Sequence, residues 1–425
     1  MKRLAAVILL LAARAGADPF DTFGFGARAA AMAGAAAATA HGAAGAHGNP
    51  AGIVLGDFAE VTLGWGYGRM ALQLNGRPAD TLDVHGVDLG VALPFRLGGV
   101  PWAFGVALYL PDQFVARLQL IPATEPHFVL LDNDVHRLVA EPAISVRPLP
   151  WLAVGLGLSL FTDVAGNGIQ FDVGVSQNGP VGQGALDVNL PSRIAPQAGV
   201  VVMPTDFLRF GATYRGALDL SLRLGIVANV DVADVVTGDA IIDIRAINFY
   251  TPRRLTFGVA VDVLPDLTLT AEAAWVSWSG FHGAAPDVRI LFNLGITPPL
   301  MQTLFPADGF HDTILPRFGA EWRAGFTDLD LVLRSGYAFE PSPVPAQSGL
   351  TSFADNDRHI FALGGGIKFH AFEPVLTRPV ALDVALQWHH LVDRLTVKDQ
   401  AVFPGGAFSS GGNILRGSVT LSVSL

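Results

Sequence analysis

The chain has 425 residues, 48 of them Gly and only 15% charged, with a net charge of −10 and a positive mean hydropathy. This charge balance argues against nucleic acid, whose binding is dominated by basic contacts to phosphate, and the lack of Cys excludes a disulfide framework, a thiolate metal site and a cysteine nucleophile. Past the N-terminus no stretch offers the roughly 18 consecutive apolar residues of a membrane-spanning helix.

The first residues read as a secretory signal. Lys2 and Arg3 form a charged start, Leu4 to Ala13 an apolar core too short to span a bilayer, and Ala15-Gly16-Ala17 a small-residue cleavage site before Asp18. Residues 1–17 are therefore expected to be removed. An N-terminal anchor is the alternative, disfavoured by the shortness of that core.

Residues 18–57 form a second unit. The run from Ala27 to Ala46 is almost all Ala and Gly, interrupted by Arg28, Met32, Thr39 and His41. It is too small-sided to anchor in lipid and too Gly-rich for a stable isolated helix. Such a segment can pack tightly against other backbone, as a plug inside a pore would. A disordered periplasmic extension is the other reading. Within the unit, Asn49-Pro50-Ala51 makes a stiff corner, because Pro fixes its own φ and holds Asn49 extended. The Asn amide can bond strand backbone while Ala51 permits close approach, so the corner is either a latch or a structural turn. His41 and His47 lack an arranged third ligand and make no metal site.

From Phe58 to Leu425 the pattern is strand, turn, strand. Val61, Leu63, Trp65 and Tyr67 alternate with Thr62, Gly64 and Gly66, and Val419, Leu421, Val423 and Leu425 alternate with Ser418, Thr420, Ser422 and Ser424. Period two sends one set to each face, and the small or polar set suits a lumen better than a packed core. About fourteen such spans are long enough to cross a bilayer when tilted. They lie near 58–74, 82–96, 101–110, 135–147, 151–163, 193–203, 206–221, 252–263, 267–280, 313–326, 328–339, 358–370, 380–394 and 412–425.

Short turns (Leu97 to Val100, Pro148 to Pro150, Pro204-Thr205, Leu264 to Asp266, Thr327) alternate with longer loops near 111–134, 164–192, 222–251, 281–312 and 340–357. Outer-membrane barrels have short periplasmic turns, long external loops and an even strand number. The expectation is an all-β, fourteen-stranded antiparallel transmembrane β-barrel over residues 58–425.

At Gly24 to Ile53 the stretch GFGARAAAMAGAAAATAHGAAGAHGNPAGI resembles the opening of the FadL-like long-chain fatty acid and aromatic-hydrocarbon outer-membrane transporters. FGVALYLP (104–111), TPRRLTFGVAV (251–261), AEAAWVSWSGF (271–281), LPRFGAEW (315–322), RSGYAFEPSPVP (334–345) and DNDRHIFALGGGIKF (355–369) are similar, in order, to later stretches of that family. The resemblance implies a fourteen-stranded barrel with the N-terminal plug, residues 18–57, in its lumen. Its substrates are hydrophobic, caught by external loops and released sideways through the wall. Two departures stand out: the acidic residues usual near Ala40 to Ala46 are replaced, with His41 and His47 close by, and the terminal residue is Leu425 where an aromatic is usual.

Several residues then become candidates. The segment 222–251 is rich in Val and Ile, and Val235, Val236, Ile241 and Ile242 are expected to form a greasy external patch that captures ligand, or else a barrel–barrel contact or loop packing. Alternation sends Glu60, Asp88, Arg137, Glu141, Arg209, Arg215, Arg254, Glu272, Arg317, Glu321, Arg323, Arg334 and Arg358 into the lumen, where they are expected to pair with each other and with the plug. Arg317 is the candidate to hold a carboxylate head group through paired hydrogen bonds.

No Gly-x-x-x-x-Gly-Lys-Ser/Thr loop or Gly-x-Ser-x-Gly motif occurs, so movement is expected to be passive, without catalytic residues, cofactor or metal. Expected partners are a hydrophobic small molecule, outer-membrane lipids, lipopolysaccharide and the barrel assembly machinery. A general porin or structural barrel is the main alternative, and a lipid-active outer-membrane enzyme the second.

Overall fold

The computed structural model describes residues 19–112, 125–131, 138–162, 165–176, 179–189, 192–232, 236–282, 287–293, 309–347, 351–370, 377–398 and 406–425. The expected signal peptide and Arg137 lie outside them. Fourteen strands form the wall: β1 (Glu60–Leu74), β2 (Val84–Leu97), β3 (Val100–Pro111), β4 (Val139–Leu149), β5 (Leu152–Thr162), β6 (Ser192–Thr205), β7 (Leu208–Arg215), β8 (Arg253–Leu264), β9 (Leu267–Ser277), β10 (Thr313–Gly325), β11 (Leu329–Glu340), β12 (Arg358–Phe369), β13 (Val380–Val397) and β14 (Ala407–Ser424). Each is antiparallel to its neighbours, and β1 pairs with both β2 and β14, so the sheet closes. A fifteenth strand, Arg77–Pro78, only folds back on the end of β1.

Closure answers the polar-backbone problem of a bilayer, since a closed sheet leaves no unpaired edge in lipid. Alternation then sorts the side chains. In β1, Val61, Leu63, Trp65 and Tyr67 are exposed on the outside, whereas Thr62, Gly64, Gly66 and Gly68 face in and are buried. Trp151, Phe207, Trp322 and Phe326 are exposed near the short turns, and Tyr67, Phe361 and Trp388 nearer the other rim. These are the two aromatic girdles of a membrane barrel. Both ends of the wall share the short-turn side, where Glu60 faces Ser424 and the Leu425 N–H reaches the Ala59 carbonyl at 2.8 Å. By the loop-length rule that side is periplasmic. Among the described residues no helix is long and apolar enough to cross a membrane.

The expected spans coincide with the wall strands, with a few residues' difference at their ends. The largest departure is at 206–221. β7 stops at Arg215, where Gly216 turns its N–H to the Pro196 carbonyl at 2.8 Å, and a separate strand begins at Leu218.

The loops expected near 164–192 and 222–251 are largely strand, and the one near 281–312 contains the strand Asp287–Asn293, which corrects the sequence reading. Strands Asp287–Asn293, Val236–Thr251, Leu218–Val232, Ala165–Ser176 and Gly179–Asn189 pair in that order as a five-stranded external sheet. The period-two alternation of the wall continues past the membrane, so the hairpins keep pairing. Register aligns Ile169, Ile226, Ile242 and Ile290 in one row across four of these strands. In the external loops at the mouth, His127 and Phe128 pair in parallel with Phe353 and Ala354.

Candidate functional site

Residues 19–56 lie inside the ring. Their small side chains allow only short helical pieces: α1 (Pro19–Phe23), α2 (Gly26–Ala31), a tight turn at Gly42–Ala44, α3 (Gly45–Gly48) and a second at Pro50–Leu55. None would persist alone at that length. Wall glycines bring backbone against backbone on opposite sides of the ring. A Cβ at Gly155 of β5 would sit 2.3 Å from the Pro50 carbonyl carbon, and one at Gly336 of β11 would sit 2.2 Å from that of Met32. The Ala/Gly composition is thus the complement of a Gly-lined wall.

Asn49 is fully buried. It is extended (φ −161°, ψ 112°), as the following Pro requires, and its Oδ1 accepts the Ala51 N–H at 3.0 Å. Its Nδ2 donates to the Ala37 carbonyl at 2.7 Å and to that of Val200 on β6 at 3.2 Å. One amide therefore ties together two parts of the N-terminal segment and the wall.

The lumenal charges pair around this segment. Arg28 donates to Glu321 at 2.9 Å; Arg334 also donates to Glu321, at 2.7 Å, and continues to Asp383 at 2.5 Å. Glu60 accepts the Ala43 N–H at 2.9 Å and Arg209 donates to Asp262 at 2.6 Å. Asp21 accepts from Arg254 at 2.8 Å and also from Arg215. Burial pushes the Asp21 carboxyl up, but the Arg254 and Arg215 guanidiniums outweigh it and hold the group well below the usual carboxylate range. His47 reaches Glu141 at 2.8 Å, so it serves an ion-pair network, and among the described residues no group of His, Asp and Glu could hold a metal.

Between the segment and the outer half of the wall lies a cavity of about 80 Å³, room for several waters. Phe20, Phe23, Leu315 and Ile360 line it together with Asp21, Arg215, Arg254, Glu272, Arg317 and Glu340. Arg317 faces this space as alternation expects, with Nη1 on Glu272 at 2.9 Å. Arg254 keeps its Nε buried with no hydrogen-bond partner. Over the cavity, Leu315 joins an apolar cluster of mouth residues. There Tyr250 stacks on Phe281 at 5.0 Å, and Phe281 meets Phe310 edge-on at 4.8 Å.

Of the expected capture residues, Val235 lies outside the described residues. Val236, Ile241 and Ile242 all lie in the strand Val236–Thr251 of the external sheet. Sequence reasoning missed Asp21, Gln197 and the mouth aromatics. Asp21 is the sole acid between Asp18 and Asp57, a signal that was available. The partners of Gln197 come from distant elements and left none.

Residues 7–399 match the model of a family described as outer membrane protein transport protein (OMPP1/FadL/TodX). A Pseudomonas aeruginosa FadL homologue superposes with a TM-score of 0.59 at 14% identity, covering 98% of this chain and 99% of the other. The P. putida toluene transporter TodX gives 0.55 at 15%, covering 95% and 99%. The Ralstonia pickettii toluene transporter TbuX gives 0.51 at 16%, covering 96% and 100%. At these identities the likeness establishes the fold. None of the curated proteins compared matches the chain.

Proposed function

This chain belongs to the outer membrane protein transport family of OMPP1, FadL and TodX, and from that membership we propose that it takes up hydrophobic small molecules, long-chain fatty acids or similar hydrocarbons, by passive movement. The relatives it superposes on are transporters rather than enzymes, and its place is the outer membrane. The single observation that carries the reading is the cavity between the inserted segment and the wall, part apolar and part lined by paired arginines and carboxylates, beneath an apolar mouth.

Such a molecule meets the apolar external surface first, where each buried methylene is worth about 0.8 kcal/mol. Val235, Val236, Ile241 and Ile242 belong to that capture surface. It then passes the mouth aromatics into the cavity, where Phe20, Phe23 and Leu315 receive the apolar body. A carboxylate head would be held by Arg317 and by the unpartnered Nε of Arg254, displacing part of the existing ion pairing. The segment 19–56 acts as a plug that denies a through-going water path, with Asn49-Pro50-Ala51 as its latch on the wall. Release is lateral, into the membrane, because a hydrophobic solute gains nothing by entering the periplasm.

Proteoliposomes test this with radiolabelled palmitate and radiolabelled toluene, beside planar-bilayer conductance of the same preparation. Uptake with low steady conductance is expected. Absence of uptake of both probes, or a large steady conductance, would refute it in favour of an inert barrel or a porin.

A further inference from the structure

Below the cavity the inserted segment does not fill the ring. Two further cavities lie on the short-turn side. One, of about 220 Å³, spans the wall from β10 round to β1; the other, of about 170 Å³, reaches the β8–β9 turn at Pro265 and Asp266. Arg28 lines both of them and the cavity above as well. The lining that the upper cavity shares with the 170 Å³ one is Arg28, Met32 and Thr39. Arg28 is the long, charged member of that partition. Its Nε donates to Glu321 at 2.9 Å and its Nη1 to the Thr39 carbonyl at 3.1 Å.

The larger lower cavity is charged in a sorted way. Arg323 of β10 and Lys368 of β12 line one arc, and Asp57 and Glu60, at the start of β1, line the opposite one. Lys368 and Asp57 are exposed, and Arg323 meets Glu321 only loosely, at 3.5 Å. Opposite charges on facing arcs set a field across the opening, and low-dielectric walls focus it. A hydrocarbon entering here would strip water from these charges without replacing it. A small zwitterion would instead turn its ammonium to Asp57 and Glu60 and its carboxylate to Arg323 and Lys368. The narrowest space, the upper cavity of about 80 Å³, takes roughly five to eight waters, so it admits a solute of about that many heavy atoms.

We infer that a polar passage for small zwitterions runs from the cavity past Arg28 to the periplasm, with the Arg28 side chain as its gate. This is an activity beyond the uptake of hydrophobic molecules, which the charged lower cavities turn away. With Arg28 on Glu321 and Thr39 the passage is shut, and steady conductance stays low. Swinging that side chain aside joins the cavities and leaves the backbone of the inserted segment in place. Neither partner is stranded by the move. Glu321 keeps Arg334 at 2.7 Å, and Glu60 and Asp383 line the 220 Å³ cavity into which the guanidinium swings.

Solute flux into proteoliposomes tests this with radiolabelled glycine, its uncharged isomer glycolamide, and raffinose as a solute too large for the passage. Wild-type protein should pass glycine slowly, yet faster than protein-free liposomes, and exclude raffinose. Arg28→Ala should raise glycine flux by about tenfold or more, the population factor of one charge-assisted hydrogen bond, with raffinose still excluded. Gly155→Ala, which loosens the whole inserted segment, should admit both. Arg323→Glu with Lys368→Glu removes the positive arc; glycine flux should fall severalfold while glycolamide stays within about twofold. Wild-type glycine flux equal to that of bare lipid, no rise in Arg28→Ala, or raffinose entering through Arg28→Ala overturns the inference. Equal losses of glycine and glycolamide in the double variant overturn it too. Palmitate and toluene are followed in the same vesicles, and failure of their uptake would refute the hydrophobic-transport reading while leaving this one standing.

Discussion

Replacing Gly155 with Ala puts the docking of the inserted segment to a quantitative test. The added methyl would lie 2.3 Å from the Pro50 carbonyl carbon, 2.4 Å from the Ala51 nitrogen and 2.5 Å from the Pro50 oxygen. All three are backbone atoms in the turn fixed by Asn49 and Pro50, so no side chain can swing aside. Ordinary carbon contacts need about 3.5–4.0 Å, so the turn must retreat by more than about 1 Å. Overpacking of this kind costs about 1–3 kcal/mol, and a retreat of that size also stretches the Asn49 bond to the Val200 carbonyl, already 3.2 Å long. The undocked population should rise roughly five- to hundredfold. Steady conductance in planar bilayers should rise with it, as should protease cleavage within residues 19–56. Gly417→Ala is the control, since nothing lies within 4 Å of its Cβ. Conductance and cleavage unchanged in a normally assembled Gly155→Ala barrel would refute the close-approach argument and the sealing role together.

Arg317→Ala should weaken palmitate binding by about tenfold or more, the worth of a charge-assisted hydrogen bond, and leave toluene binding within twofold; equal losses for the two probes would remove the head-group role. Val235→Asp with Val236→Asp should lower uptake at limiting substrate and leave the saturating rate intact, and unchanged uptake at every concentration would discard the capture surface. Because the folded-state pKa of Asp21 is depressed, its contribution to docking is present above the unfolded value of about 3.9 and is lost only as pH falls through the lower folded value. Conductance should therefore stay low at pH of about 4. Asp21→Asn, which strands Arg215 and Arg254 without their carboxylate, should leak at neutral pH by a docking loss of about 3 kcal/mol. A wild-type barrel already open at pH of about 5, or a tight Asp21→Asn variant, would contradict the pairing.

The wall was legible because its signal is local and repeated. Val61 to Tyr67 and Val419 to Leu425 carry their orientation in a two-residue rhythm, and turn chemistry such as Pro148 to Pro150 marks where strands reverse. The external sheet was misread as loops for the same reason in reverse. Ile241 and Ile242 sit in apolar runs that periodicity assigns to a patch as readily as to a strand. They pair with Val227 and Ile226 on one side and with Leu291 and Ile290, in a strand far along the chain, on the other. The lumenal direction of Glu141, Arg254 and Arg317 followed from alternation, but their partners did not. Asp21 meets Arg254 across 233 positions, a contact no spacing rule reaches.

The sequence by itself determined the fold class, the strand number, the compartment and the direction of each wall side chain, because a bilayer demands satisfied backbone and an apolar exterior at every strand separately. Which charge meets which and where the cavity lies were decided only in three dimensions. Those facts depend on how the inserted segment lies against strands remote in the chain, and close packing fixes that arrangement only when every element is in place.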